Sequence, residues 1–365
     1  MFKYIKLAAL ALLFSVGFTA CDDDDDYNYV DGNNTPAFST SEAYVLIQGN
    51  MYGGVSGSID KLLLSENGGA SVQKDFFTLT NKQQLGDGPQ EGLHYGSKIY
   101  VSVQGSNILW VLDAGTLEIE HKISMNQPTA LCATKGYVFA TNYDGNVTRI
   151  DTFHLDEPVK TMEVGPNPDG IAAFNNKVYV TISDGMNFNE AYGNGKKVVE
   201  LNAEAFSKTK EYKVGVNPGQ IVTNNIGEVF LVSRGNYADV TPVVQKITLQ
   251  GEVIDYEPGS LIAVDRDMLY IVDSQTDWAT GKCDVTVKRM NMTDDNMEDK
   301  FIAAEDLPAA PTNIAVHPVT RDLYVCSDKN ANGFAESGWV YQYNYGGQLL
   351  NKFNVGIHPY DVIFK

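Results

Sequence analysis

The chain has 365 residues, with 27 Lys and Arg against 46 Asp and Glu and a formal net charge of −19. That balance repels phosphate backbones and anionic headgroups, so nucleic acid is excluded as a partner and a membrane surface would not hold the chain by charge. Four cysteines, scattered at positions 21, 132, 283 and 326, do not make a disulfide framework.

The first segment reads as a secretion signal over residues 1–20. Lys3 and Lys6 give it a basic start, and Leu7 to Phe18 an apolar stretch too short to span a bilayer. It ends Phe18-Thr19-Ala20-Cys21, which resembles the bacterial lipobox, so Cys21 is the expected lipidation site. Asp22 to Asp26 follow at once, and an acidic run in that place resembles the surface-export signal of Bacteroidetes lipoproteins. Residues 21–40 lack apolar periodicity and read as an acidic, flexible tether. Acyl chains on Cys21 would then hold the protein at the cell surface on the outer membrane.

From residue 41 the chain reads as strands. Ala43 to Ile47, Ser58 to Leu64 and Asp75 to Leu79 come first, with no proline phrase before them. A phrase then begins to repeat: a proline, an apolar residue three positions on, a polar turn, and a β-branched or aromatic run. It appears loosely at Pro89, then at Pro128, Pro168, Pro218, Pro258, Pro311 and Pro359. Copies roughly 40 to 50 residues apart are the mark of a repeated four-stranded unit. In the copy at Pro168, the strands run Ile171 to Phe174, Val178 to Ile182, Lys197 to Leu201 and about Thr209 to Val214. The copy at Pro359 leaves only Val362-Ile363-Phe364, enough for one strand, and the three strands near residues 43–79 supply the rest. The expected fold is all-β: one seven-bladed β-propeller over residues 41–365, closed by a blade shared between the two ends of the chain.

In a propeller the connections from the second to the third strand, and from each blade to the next, open on one face. The candidate ligand residues are taken from those loops: Tyr52, Asn142, Tyr143, Asp184, Phe188, Tyr192, Arg234, Asn236, Tyr237, Asp273, Trp278, Phe334 and Tyr360. Aromatic rings supply apolar contact, while amides and hydroxyls orient a polar ligand. Asp328-Lys329-Asn330-Ala331-Asn332-Gly333 fits the opening of a calcium loop, with Asp328, Asn330 and Asn332 as oxygen ligands, but Trp339 stands where a bidentate Glu belongs. No motif requires a cofactor; calcium is the metal this loop could take. The histidines are scattered, and no nucleophile elbow, P-loop or paired-His zinc motif occurs, so no catalytic residue is assigned and a non-enzyme is expected.

The unit Asn167-Pro168-Asp169-Gly170-Ile171, repeated at Asn217-Pro218-Gly219-Gln220-Ile221, resembles the YncE-like propellers. The stretch from Val214 to Val232 also resembles their Bacteroidetes surface-lipoprotein branch, which includes the BtuG cobalamin-binding proteins. The resemblance implies capture of cobalamin or a similar corrinoid and transfer to a TonB-dependent outer-membrane transporter, without chemistry. It specifies the fold better than the ligand, because loops carry the contacts. Two other readings stay open: a glycan- or protein-binding accessory lipoprotein of an uptake complex, and a propeller lyase or lactonase.

Overall fold

The computed structural model describes residues 38–64, 69–183, 195–277, 279–331, 333 and 335–365. Among them lie seven four-stranded antiparallel sheets. The first blade comprises Pro89–Tyr95, Lys98–Val103, Ile108–Asp113 and Ile119–Ser124. Blades opening at Pro128, Pro168, Pro218, Leu261 and Ala310 repeat this order, innermost strand first. The seventh is Pro359–Phe364 paired to Glu42–Ile47, then Ser58–Leu64 and Ala70–Gln73. Phe364, Ile363 and Val362 stand opposite Ala43, Tyr44 and Val45, so the two ends of the propeller sequence share one sheet. Each innermost strand touches that of the next blade, and Pro359–Phe364 touches Pro89–Tyr95, completing the ring.

The proline phrase has a mechanical reading. Proline opens the innermost strand, where a missing N–H costs no ladder bond. The register then slips, so that Pro168 faces Ile182 but Ile171 faces Val180. The same slip follows Pro128 and Pro218. In five of the seven copies the residue before the proline takes a left-handed backbone, with φ of 63° at Gly88, 43° at Gln127, 50° at Asn167, 57° at Asn217 and 55° at His358. Asn and Gly tolerate that conformation, and this is why Asn-Pro recurs.

Second strands are packed on both faces by neighbouring blades, and Val229–Ser233 and Leu323–Asp328 are buried throughout. Outermost strands are wet and charged, as in Ser207–Lys213. Ring closure therefore covers faces and leaves each blade an outer edge, guarded by lysines in Ser207–Lys213. The core consists of clusters between adjacent blades. One joins Tyr44, Leu46 and Ile59 of the seventh blade to Ile99, Val101 and Trp110 of the first.

Three sequence expectations are corrected. The outermost strand of the closing blade is Ala70–Gln73, and the Asp75 to Leu79 run is instead a helix, Phe76–Asn81. Phe77 drives the difference: it is fully buried in the seam cluster, 5.9 Å from Trp110. Asn81 then ties the helix down, donating to Leu117 O and accepting from Ile119 N, both at 2.9 Å. The long loop expected from Asp273 is largely a hairpin, Met268–Asp277 paired with Lys282–Asn291, that projects beyond its sheet. Trp339 lies in a third strand, Ser337–Tyr343, rather than in a loop. Phe38 sits edge-on to His94, and His317 donates from Nε2 to Ser39 O.

Candidate functional site

Blade-to-blade turns and second-to-third loops surround two cavities on one face. The inner one, of about 640 Å³, lies where the innermost strands converge and is lined by Gln90, Glu91, Asp169, Gln220, Arg234, Asn313, Tyr360 and Asp361, among others. The outer one, of about 920 Å³, is bounded by Gln48, Asn50, Tyr52, Gln104, Gln127, Thr276, Cys283, Asp328 and His358. Tyr143, Gln90 and Gln104 line both.

The inner cavity is built from the residue two places after each proline. Glu91 Oε2 accepts from Leu131 N of the next blade at 2.9 Å, and Asp361 Oδ2 from Gly92 N across the closing seam at 3.0 Å. Gln220 Oε1 accepts from Ile262 N at 2.9 Å, and Asn313 donates to Tyr360 O at 2.9 Å. At Ala130 and Gly170, where this position is small, a hydroxyl on the second strand still bonds the next blade, as Ser102 does beside Glu91. Thr141 Oγ1 accepts from Ala130 N and donates to Asp169 O; Thr181 Oγ1 accepts from Gly170 N and donates to Gly219 O. The polar lining of the channel is thus a belt of bonds between blades.

Burial pushes the Glu91 carboxyl up to about 8, aided by the neighbouring Asp361 charge. Burial also raises Asp361, to about 6, against the lowering pull of the Gly92 and Val362 N–H groups. Arg234 reaches back one blade to Asp169 at 2.5 Å, and the Asp169 charge holds its guanidinium well above the usual range. Its head lies on Gly219, where a Cβ would collide with the guanidinium. Burial raises the Tyr143 and Tyr360 hydroxyls.

The outer cavity differs in chemistry, with no Lys or Arg among the described residues that line it. Gln48 donates to Pro89 O, and Gln90 donates to Gly88 O and Gln104 Oε1. Among the described residues, the other halves of these three amides carry no bond. Tyr52 stands on a short 3₁₀ turn, Met51–Gly53, and is 95 % exposed.

The structure brings together Tyr52, Tyr143 and Asp328 around the outer cavity, and Tyr143, Arg234 and Tyr360 around the inner one. Asn142 is buried, donating to Asn126 O and accepting from Thr148 Oγ1, so its amide is engaged inside the blade. Asn236 caps its own loop, accepting from Ala238 N and Val240 N. Tyr237 is exposed at φ 56° and lines neither cavity, and Asp273 accepts from Gln275 on the projecting hairpin. Asp184, Phe188, Tyr192, Trp278, Asn332, Phe334 and Cys21 lie outside the described residues. In the calcium-like loop, Asp328 Oδ2 is taken by His358 Nδ1 at 2.8 Å, and Glu336 turns to Lys329 at 2.6 Å. Asn330 follows in the same loop and lines neither cavity. Among the described residues no three His, Cys, Asp or Glu side chains gather as a metal site. Glu91, Asp361 and His358 are the residues that loop reasoning missed. The first two were marked by standing where other copies of the repeat carry small or amide residues.

These features define a seven-bladed β-propeller with a two-tiered cavity on its loop face. The family described as "Domain of unknown function (DUF5074)" matches residues 42–364, and the chain belongs to it. No curated protein matches the sequence. Among solved structures, a quinonprotein alcohol dehydrogenase-like protein from Bacteroides thetaiotaomicron aligns with a TM-score of 0.61 at 17% identity, covering 89% of this chain and 78% of that one. Kuenenia stuttgartiensis hydrazine synthase aligns with a TM-score of 0.54 at 15% identity, covering 68% and 74%. At such identities these are likenesses of fold alone.

Proposed function

We propose that this protein is a non-enzymatic capture protein that holds an uncharged organic ligand in the outer cavity. The observation that carries the reading is the composition of that cavity: amides, hydroxyls and tyrosines beside the Asp328–His358 pair around about 920 Å³, with no Lys or Arg among the described residues that line it. A space of this size suits a bulky ligand held by contact area and a few hydrogen bonds. Binding without chemistry is supported by the way the channel carboxyls serve bonds between blades. Glu91 and Asp361 each accept a backbone N–H, and Asp169 holds Arg234.

Taken with the YncE-like and BtuG-like repeat, the ligand we propose is cobalamin or a related corrinoid, a broad molecule rimmed with amides. The protein would present it at the cell surface, anchored through Cys21, to a TonB-dependent transporter. Calorimetry with cyanocobalamin is the test. Saturable one-to-one binding at micromolar ligand or below is expected, and absence of heat and of any change in the corrinoid spectrum would remove cobalamin. The same titration with neutral oligosaccharides would then decide for the glycan-binding alternative.

A further inference from the structure

We propose that His358 Nε2 and Asp328 Oδ1 form a paired acceptor by which the outer cavity selects uncharged ligands bearing N–H or O–H donors. This rests on the capture reading and names the chemistry that the site prefers. Asp328 ends the second strand of the sixth blade, Leu323–Asp328, and His358 lies in the turn from that blade into the closing one. Both line the outer cavity. The imidazole is held from several sides. Its backbone is left-handed at φ 55°, its carbonyl accepts from Gln48 N at 2.9 Å, and its ring lies 5.7 Å from that of Tyr360.

Asp328 Oδ2 meets His358 Nδ1 at 2.8 Å. A carboxylate has no proton to give, so Nδ1 carries the hydrogen of this bond, and in the neutral ring Nε2 is left as a lone pair. Among the described residues Nε2 has no partner. Asp328 is 5 % exposed, and its Oδ1 is buried without a hydrogen-bond partner. Buried acceptors of this kind are costly unless a donor reaches them, and the other polar walls are amides that can both give and accept. With the ring neutral, two groups in the wall that only accept set the polarity of what can sit against them. An anion would meet this pair with no Lys or Arg among the described lining residues to offset it, whereas an amide or hydroxyl would satisfy it.

The test is long-range ¹H–¹⁵N NMR on the folded protein with labelled imidazoles, of which there are five: His94, His121, His154, His317 and His358. His358 is expected as the Nδ1–H tautomer. Propionamide or methyl glucoside, at high millimolar concentration, is expected to move its Nε2 resonance, and propionate to leave it in place. Which of the two donors acts more strongly separates amide from hydroxyl ligands. Asp328→Asn should weaken the response about tenfold. An Nε2–H tautomer, an equal response to propionate, no response to either donor, or an unchanged response in D328N would each overturn the proposal. None of these results depends on whether cyanocobalamin binds, so the two readings fail separately.

Discussion

The two cavities of the loop face are adjacent and share Tyr143, Gln90 and Gln104, yet they spend their polar groups differently. In the inner one, Glu91, Gln220, Asn313 and Asp361 each bond the backbone of the following blade, and Asp169 closes on Arg234. In the outer one, three glutamines keep half of their amides unbonded and an aspartate oxygen is orphaned among the described residues. Polarity alone does not mark a site. A carboxyl pushed far from its ordinary value can be the tie that holds a ring together, and the groups with hydrogen-bonding capacity to spare are the better guide to where a ligand sits.

If the inner belt is structural, disturbing it should cost stability, in a definite order. The largest effect is expected for Gly170→Ala, because a Cβ there would collide with Gly219 O of the next blade, a backbone atom that cannot turn aside. A loss of about 3 kcal/mol in urea unfolding is expected, at the upper end for overpacking. An unchanged midpoint would mean that the blades slide apart at little cost.

Next comes Glu91. Its carboxyl ionises near the ordinary value of 4.5 in the unfolded chain and at about 8 in the folded one. Between those values the folded state keeps a proton that the unfolded state has released, so stability falls as pH rises through the window. Glu91→Gln keeps an acceptor for Leu131 N and removes the titration. Its advantage over the parent should be absent near pH 4 and on the order of 2 kcal/mol at pH 8, since the cavity beside it softens the full cost of the charge. Urea midpoints at the two pH values check this, and parallel pH curves for both proteins would refute it. Asp361, raised to about 6, should leave a smaller fall between pH 4 and 6 in both proteins. Smaller again is Thr181→Val, which loses the bonds to Gly170 N and Gly219 O and should cost about 1–2 kcal/mol by thermal or urea unfolding.

The belt and the mouth were also unequally legible. Ring closure could be read because one phrase repeats, and the phrase repeats because most blades place a left-handed residue, a proline and an inward apolar side chain at the same point. The outermost strand Ala70–Gln73 could not be read, since an exposed edge of Ala, Ser, Val and Gln buries nothing and leaves no period. The apolar Phe76 and Phe77 beside it imitated a strand while filling the seam as a helix. At the site, aromatic loops pointed to Tyr52 and Tyr143, but the same rule chose Asn142 and Asn236, whose amides hold their own backbone together. Composition does not say whether an amide has capacity left over. His358 was missed for the related reason that its partner, Asp328, is thirty residues away and meets it only when the sixth blade joins the seventh.

The mouth should respond in the opposite way to the belt. Tyr52 is 95 % exposed on its 3₁₀ turn, so Tyr52→Ala removes a ring that packs on little and should move the unfolding midpoint by less than about 0.5 kcal/mol. The same change removes aromatic area from the rim of the outer cavity, and a loss of about tenfold in ligand affinity, or roughly 1.4 kcal/mol, is expected by calorimetry. Tyr237→Ala serves as the matched comparison, being an exposed tyrosine on a loop of the fourth blade that lines neither cavity. Equal losses from both tyrosines would spread the docking surface over the whole loop face. A loss from Tyr237 alone would move it away from the outer cavity, toward the fourth blade.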